Sequence, residues 1–227
     1  MSTFFAMDQL MLDRPQRTRG RPAQNAALAV DEATLLGLVF ATFAERGYEG
    51  TTLRDLSKQL GVSHNLLNVR YGRKEDLWIR AIDWRMAQAS PFVETAFDEQ
   101  ADAEVRLRHL VQRFCLWATR NGDIVALTNL EGCRSTWRLD HIVERFVSPF
   151  QKRLDDLLDA VRRQRPVDDL STAALMALLV QGVGFYFNAA PMQQRLGAGR
   201  EIDAAHAHEQ AERLASFLLA ALLPPVA

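Results

Sequence analysis

The chain has 227 residues, of which 48% are hydrophobic and 24% are charged, and this globular composition excludes a disordered chain, a collagen and a coiled-coil rod. The formal net charge of −1 at pH 7 excludes a protein that attracts nucleic acid or anionic lipid with its whole surface. Any such binding must therefore come from a local basic patch.

The first 24 residues predict a flexible arm. Its apolar stretch, residues 4–12, lacks the order of a signal peptide, because no basic residue precedes it, Asp8 interrupts it and no cleavage site follows before Arg14. We expect a cytoplasmic protein for another reason, since the unclustered Cys115 and Cys133 fit a reducing compartment. Residues 14–30 hold four arginines and no acid, and Arg19 and Arg21 lie in an Arg-Gly-Arg-Pro run that can follow phosphates or enter a minor groove. The alternative is a solvated basic tail.

Apolar residues recur with helical spacing nearly everywhere, so we predict an all-α protein. The first helix is expected to begin at Asp31 and to end at Gly47. Between them, one face carries apolar residues three and four positions apart: Leu35, Leu36, Val39, Phe40 and Phe43.

Two short helices follow. Thr52 with Asp55 resembles a capping box, which predicts a helix that runs to Leu60 and is stopped by Gly61. Ser63 is a candidate cap for a third helix that reaches about Tyr71. A fourth helix is expected over residues 74–89, ended by Ser90 and Pro91, and we expect it to join the two halves of the chain rigidly.

The second half predicts longer helices at about 102–120, 123–134, 140–164, 171–189 and 203–223. We divide the chain into an arm (1–24), a helical domain at 25–80 and a larger helical domain at 81–227.

Helices two and three have the spacing of a DNA-binding helix-turn-helix. Spacing alone is weak evidence, since many all-α proteins contain such a pair. The local charge strengthens the evidence for DNA binding, because residues 50–74 hold five basic side chains and one acidic side chain, a local net charge of +4.

The run from Phe43 to Leu56, then Gly61-Val62-Ser63 and Lys74-Glu75-Asp76-Leu77, resembles the N-terminal domain of TetR-type repressors over about residues 31–80. The resemblance implies an all-α fold, with a three-helix helix-turn-helix domain for DNA and a larger C-terminal domain for dimerisation and ligand binding. It also implies a non-enzymatic regulator without a cofactor or metal. The residues that it implies at the phosphates are Thr51 or Thr52, Arg70, Tyr71 and Lys74.

Helix three departs from the family pattern. Asn65 stands where the family usually has Gly, Asn68 where it usually has a phosphate-contacting Tyr, and Tyr71 where it usually has Phe. We expect Val62, Leu67 and Tyr71 to face the core, which leaves His64, Asn65 and Asn68 outside with Ser63 at the start of the helix. Asparagine can read adenine, so this face suits base edges. The alternative is that both asparagines are merely exposed.

Helix 171–189 has no solvated side, which predicts that a second subunit covers it. We expect the dimer interface to use its small, polar face with part of the last helix: Ala177, Gln181, Gly184, Asn188, Leu214, Phe217 and Leu218. A homodimer would place two recognition helices on a palindromic operator.

An uncharged or amphipathic small-molecule effector is expected in the C-terminal domain, because small-molecule pockets are mostly apolar. The candidate lining residues are Phe114, Trp117, Asn129, Leu130, Trp137, Met176 and Phe187. Glu131 is a further polar candidate. For each large side chain the alternative is ordinary core packing.

Two other functional classes, an enzyme and a lipid-associated adaptor, fit the residues less well. An enzyme in a helical bundle would need converging chemistry, but no repeated Glu-x-x-His pair is present, and Asp140-His141 with Glu144 is better explained by helix capping. A lipid-associated adaptor could use the apolar run 173–190, although Gln181 and Asn188 interrupt it. Cys115 and Cys133 have no clustered partner, which excludes a zinc module and a disulfide framework.

Overall fold

The computed structural model describes residues 31–97, 100–196 and 204–225, and regular structure within these ranges is entirely helical, which confirms the all-α prediction. The α-helices are α1 (Glu32–Arg46), α2 (Leu53–Leu60), α3 (His64–Tyr71), α4 (Lys74–Glu94), α5 (Ala103–Ala118), α6 (Gly122–Gly132), α7 (Trp137–Ile142), α8 (Ser148–Arg162), α9 (Thr172–Ala177), α10 (Gly184–Asn188), α11 (Ala190–Arg195) and α12 (Ala204–Leu222). The arm with Arg19 and Arg21 lies outside the described residues.

The first three helices begin at the predicted caps. The side-chain oxygens of Asp31, Thr52 and Ser63 each accept a hydrogen bond from the backbone N–H three residues later, at 2.9, 3.1 and 3.2 Å. Gly61 ends α2 with φ 66° and ψ 23°, a left-handed conformation that glycine adopts without steric cost. The chain therefore turns sharply between α2 and α3.

The N-terminal core is built on bulky side chains from α1 to α4. Phe40, Phe43, Leu56 and Trp78 are fully buried there, and Leu67 of α3 joins them. The same apolar cluster includes Ile124 and Leu127 of α6 and Ile142 of α7. The helix-turn-helix unit therefore packs directly on the C-terminal part of the chain.

A second core surrounds α5. Leu107, Leu110 and Val111 of α5 are fully buried against residues of α8 and α12, including Leu154 and Ala211. Arg85 of α4 ties this half to the first, because its guanidinium donates to both carboxylate oxygens of Asp123 at 2.8 Å and to Asn121 at 2.9 Å. Helix α4 is thus anchored in both halves.

Two predicted helix ends were wrong. Helix α4 continues through Pro91 to Glu94, because Ala89 and Val93, four positions apart, keep its apolar face buried. The helix expected from residue 140 begins at Trp137, since Thr136 caps it by accepting from the Leu139 N–H at 3.3 Å. His141 is therefore not a capping residue, and its Nε2 lies 2.8 Å from Asp83 Oδ1 of α4.

Two π-helical turns interrupt the longer predicted helices. Val143–Val147 joins α7 to α8, and Leu178–Val183 joins α9 to α10. An extra residue in a turn rotates the following side chains by about 100° around the helix axis. The small, polar face that we expected along helix 171–189 is therefore not continuous.

Candidate functional site

The outward face of α3 carries polar and charged side chains. His64, Asn65, Val69 and Arg70 are exposed, and Val69 has 76% of its surface accessible. Asn68 is half-buried, with its Nδ2 3.0 Å from His64 Nδ1. Amide, imidazole and methyl groups stand side by side on this face, which is a suitable combination for base edges in a major groove.

Basic side chains surround this face. Arg54 and Lys58 of α2 and Arg73 before α4 are exposed, and Arg73 has 82% of its side chain accessible. Arg70 is partly neutralised, because its Nη2 lies 3.6 Å from a carboxylate oxygen of Glu32. Exposed Thr52 and Ser63 are the N-caps of α2 and α3. The arrangement can place phosphates on both sides of α3.

Two residues that we expected at the phosphates are buried, so these two expectations are wrong. Thr51 is fully buried, and its hydroxyl donates to the Gly47 carbonyl at 2.9 Å. Tyr71 is 4% exposed, because its ring completes the N-terminal core while its hydroxyl approaches Glu32 at 3.5 Å. Neither hydroxyl is presented to a phosphate, so Thr52 is the threonine that is accessible.

Lys74 lies at the first position of α4, where its ammonium is 3.9 Å from the ring centroid of Tyr48. Partial burial lowers the pKa of Lys74, and the neighbouring Glu49 opposes that shift. This cation–π contact holds the lysine against the α1–α2 turn. Arg73, by contrast, is mostly exposed, and its Nε lies 3.9 Å from Asp76 Oδ2.

A cavity of about 360 Å³ opens among α4, α5, α6, α8 and α9, within the range of small-molecule sites. Phe114, Trp117 and Met176 line it, as the sequence suggested. The cavity also takes side chains that sequence reasoning missed: Met86, Val93, Phe146, Phe150, Arg145 and Arg153. Phe146 and Phe150 are four residues apart on one predicted helix, a signal that could have revealed them.

Four expected lining residues are absent from the cavity wall. Trp137 packs edge-on against Trp78 at 5.2 Å, and Leu130 lies over Gly47, so both serve the junction between the two halves. Phe187 packs edge-on against Tyr186 at 5.0 Å. Asn129 is half-buried beyond the cavity lining. Glu131 is also outside it, because it pairs with Arg138.

The expected dimer residues divide into two groups. Three of them are exposed, namely Ala177, Gln181 and Phe217, and Phe217 has 72% of its surface accessible. Two others, Leu214 and Leu218, are half-buried against the C-terminal core. Gly184 is buried, and a Cβ there would lie 3.0 Å from both methyl groups of Val125 in α6. Asn188 likewise lies against Gly122 of α6. Gly184 therefore admits a helix of the same chain, which corrects its assignment to the subunit interface, whereas Asn188 is also exposed and its assignment stays a prediction.

Exposed large apolar side chains concentrate in one part of the chain. Five of the eight found in the described ranges lie between residues 178 and 217: Leu178, Phe185, Met192, Leu196 and Phe217. We call these five residues the apolar surface. No helix within the described ranges is long and apolar enough to cross a membrane.

Neither cysteine lies in a ligand cluster. Cys115 is buried, which raises the pKa of its thiol to about 12, whereas Cys133 is exposed. Among the residues that the structure describes, no group of His, Cys, Asp and Glu could hold a metal ion.

Comparison with known proteins places the described helix-turn-helix in a family. Residues 40–81 match the model of the bacterial regulatory proteins of the tetR family. The chain is 42% identical to the uncharacterised HTH-type transcriptional regulator YezE of Bacillus subtilis over 52 residues, which is 23% of this chain and 27% of that relative. It is 25% identical to the HTH-type transcriptional repressor AcnR of Corynebacterium jeikeium over 142 residues, 62% of this chain and 72% of that protein.

Solved structures of similar fold cover most of the chain. The ketosteroid transcriptional regulator KstR2 of Mycobacterium tuberculosis has a TM-score of 0.62 at 19% identity, with 84% of this chain and 94% of that chain covered. AibR in complex with isovaleryl coenzyme A and operator DNA gives 0.63 at 17% identity, covering 85% and 97%. FadR from Bacillus subtilis in complex with stearoyl-CoA gives 0.56 at 14% identity, covering 83% and 97%.

Proposed function

Because this chain belongs to the TetR family of transcriptional regulators, a family of DNA-binding proteins and not of enzymes, we propose that it is a repressor that binds a palindromic operator as a homodimer. We further propose that a small lipophilic effector releases it. The observation that carries the proposal is the exposed polar face of α3 within a matched helix-turn-helix.

On DNA, α3 enters the major groove and its exposed residues meet base edges. Asn65 and Asn68 are suited to adenine, and the methyl groups of Val69 are suited to a thymine methyl. Arg54, Lys58 and Arg73 lie at the phosphates, where they position the protein without reading sequence. Arg19 and Arg21 are proposed to extend this contact into a minor groove.

The apolar surface supports the homodimer. Large apolar side chains such as Phe217, with 72% of its surface accessible, are costly to leave in water, and burying them against a second copy recovers that free energy. The occupant is a second copy because a two-fold axis also supplies the second recognition helix that a palindrome requires. We therefore propose residues 81–227 as the dimerisation and effector domain, and residues 25–80 as the DNA-binding domain.

The cavity beside α4 supports the effector. Helix α4 begins next to the recognition helix and contributes Met86, Ala89 and Val93 to the cavity wall. A ligand that binds more tightly when α4 is in one position than in another shifts the equilibrium towards the first position. This shift of α4 changes the spacing of the two recognition helices in the dimer. AibR and FadR were solved with isovaleryl coenzyme A and stearoyl-CoA, which is consistent with an acyl-type effector here.

Selection from a library of randomised duplexes with the full-length protein tests the DNA-binding role. The expected result is one enriched palindrome, whose half-sites are about one helical turn or a multiple of it apart. The double variant His64→Ala/Asn65→Ala is the control, and it should retain weak binding to all duplexes without enriching that palindrome. If the native protein enriches no sequence over the starting library, the proposal is wrong.

A further inference from the structure

Two arginines lie in the mostly apolar cavity wall. Arg145, in the π-helical turn after α7, and Arg153, in α8, both line the cavity together with Glu94 of α4. The rest of the lining is dominated by aliphatic and aromatic side chains such as Phe114, Trp117 and Met176. The cavity therefore has an apolar body and a charged rim of two guanidinium groups and one carboxylate.

Both arginines are paired with carboxylates of α4. Arg153 forms an ion pair with Glu94, and its guanidinium carbon lies 4.0 Å from the ring centroid of Phe97. Arg145 Nε lies 3.7 Å from Asp83 Oδ2, whose other oxygen is already held by His141 at 2.8 Å. Two ion pairs thus join α4 to the α7–α8 segment, and Arg145, Arg153 and Glu94 of these pairs line the cavity.

Both ion pairs are exposed enough for another anion to replace the carboxylate. The side chain of Arg145 is 63% accessible and that of Arg153 is 42% accessible, and ion pairs with this exposure contribute little net stability. An incoming anion with a better geometry can therefore replace Asp83 or Glu94 on either guanidinium. Arginine suits this role, since its planar donors match a carboxylate or a phosphate.

Building on the proposed effector function, we propose that the effector is an amphipathic anion. Its apolar part fills the cavity and its negatively charged group binds Arg145 and Arg153 in competition with Asp83 and Glu94. The shared chemistry is an acyl chain that ends in a carboxylate or continues into a phosphate-bearing group.

Competition between the ligand and the carboxylates for the two arginines couples ligand binding to the DNA-binding half of the chain. Both displaced carboxylates belong to α4, whereas both arginines belong to the α7–α8 segment. Losing the two ion pairs removes the charged contacts between α4 and the α7–α8 segment, while Arg85 still ties α4 to Asp123 of α6. The anionic group therefore acts on the same helix that begins beside the recognition helix, and apolar filling alone does not break these pairs.

Calorimetric titration of the full-length protein with three probes of equal chain length tests the proposal: decan-1-ol, decanoate and decanoyl-coenzyme A. At least one of the two anions should bind about ten-fold more tightly than decan-1-ol, because only an anion brings a negative charge to the two guanidinium groups. Comparison of decanoate with decanoyl-coenzyme A identifies the carboxylate or the phosphates as the recognised group.

Variants assign the effect to the rim. Arg145→Met and Arg153→Met should each lower the affinity for the preferred anion towards that for decan-1-ol, whereas Lys152→Met, an exposed neighbour of equal charge outside the lining, should not. Glu94→Gln and Asp83→Asn should raise the affinity for the anion, because they remove its competitors. An affinity that rises is a result that general damage to the fold does not produce.

Several results would overturn the anion proposal. The first is that the protein binds decan-1-ol and both anions with equal affinity, and the second is that it binds none of the three probes. The third is that the arginine variants still prefer the anion over decan-1-ol as strongly as the native protein does. Release of the selected operator duplex is measured in parallel by fluorescence anisotropy. It separates the anion proposal from the more general proposal that a lipophilic effector releases the DNA. If decan-1-ol binds and releases the operator as well as the anions do, the effector function stands and the anionic group is dispensable.

Discussion

Arg138 Nε lies 3.0 Å from each carboxylate oxygen of Glu131, and both side chains are almost completely buried. The same guanidinium reaches out of the C-terminal half, since its Nη1 lies 3.3 Å from Glu49 and its carbon lies 4.5 Å from the Tyr48 ring centroid. One buried pair therefore joins α6 and α7 to the turn between α1 and α2, at the junction through which an effector signal has to pass.

Removal of one partner of this pair should strongly destabilise the protein. We expect Glu131→Gln to lower the free energy of unfolding by about 3–5 kcal/mol, because it removes the buried carboxylate and leaves the buried Arg138 charge with only the exposed Glu49. Urea unfolding followed by circular dichroism measures this change. The double variant Glu131→Leu/Arg138→Met, which buries no charge, should be more stable than Glu131→Gln; if it is less stable, the buried charge is not the cause.

Asn65 should read sequence. Its side chain is exposed on α3, so Asn65→Ala should weaken binding to the selected operator by about 1–3 kcal/mol and leave binding to a scrambled duplex nearly unchanged. Fluorescence anisotropy on both duplexes at fixed salt measures the two affinities. Equal weakening on both duplexes would instead assign Asn65 to the DNA backbone.

Arg73 should contribute charge without specificity. Arg73→Ala is expected to weaken operator and scrambled duplex alike and to reduce the slope of log K against log salt by about 0.9. The same titration of Lys74→Ala is the matched comparison. Because the Lys74 ammonium is held over Tyr48, its removal should change the slope less. A larger change for Lys74→Ala would mean that this lysine leaves Tyr48 when DNA binds.

Phe217 should hold the dimer together. Phe217→Arg places a charge in the apolar surface, and we expect it to shift the protein from dimer to monomer in sedimentation velocity at micromolar concentration. Phe92→Arg is the control, because Phe92 is also an exposed aromatic residue but lies on α4 beside Arg113. A native protein that sediments as a monomer would contradict the homodimer itself.

Gly184 should matter within one subunit. A larger side chain there would collide with Val125 of α6, so Gly184→Leu should lower the free energy of unfolding by about 1–3 kcal/mol through overpacking. Thermal unfolding measures the loss. Gly182→Leu is the matched control, because a Cβ at Gly182 meets no atom within 4 Å. Equal losses for the two variants would contradict this placement of Gly184.

Local signals in the sequence determined the helix-turn-helix. Asp31, Thr52 and Ser63 cap their helices as predicted, because a cap depends on a side chain and a backbone N–H only three residues apart. The outward face of α3 followed from its helical period in the same way, since Leu67 and Tyr71 are four residues apart on the buried side. Interactions of this range are fixed by neighbouring residues whatever the rest of the chain does.

Only the tertiary structure decided the cavity and the junction. The charged rim brings Asp83 to Arg145 and Glu94 to Arg153 across some 60 residues of sequence, and nothing in either segment alone specifies its partner. The π-helical turn at Leu178–Val183 rotated the helix that follows it, so that Gly184 faces α6. Thr51 was one of two threonines that the resemblance implied at the phosphates, and packing placed it in the core. The physical reason is that burial and ion pairing depend on which distant surfaces meet, whereas periodicity reports only which side of a helix is apolar.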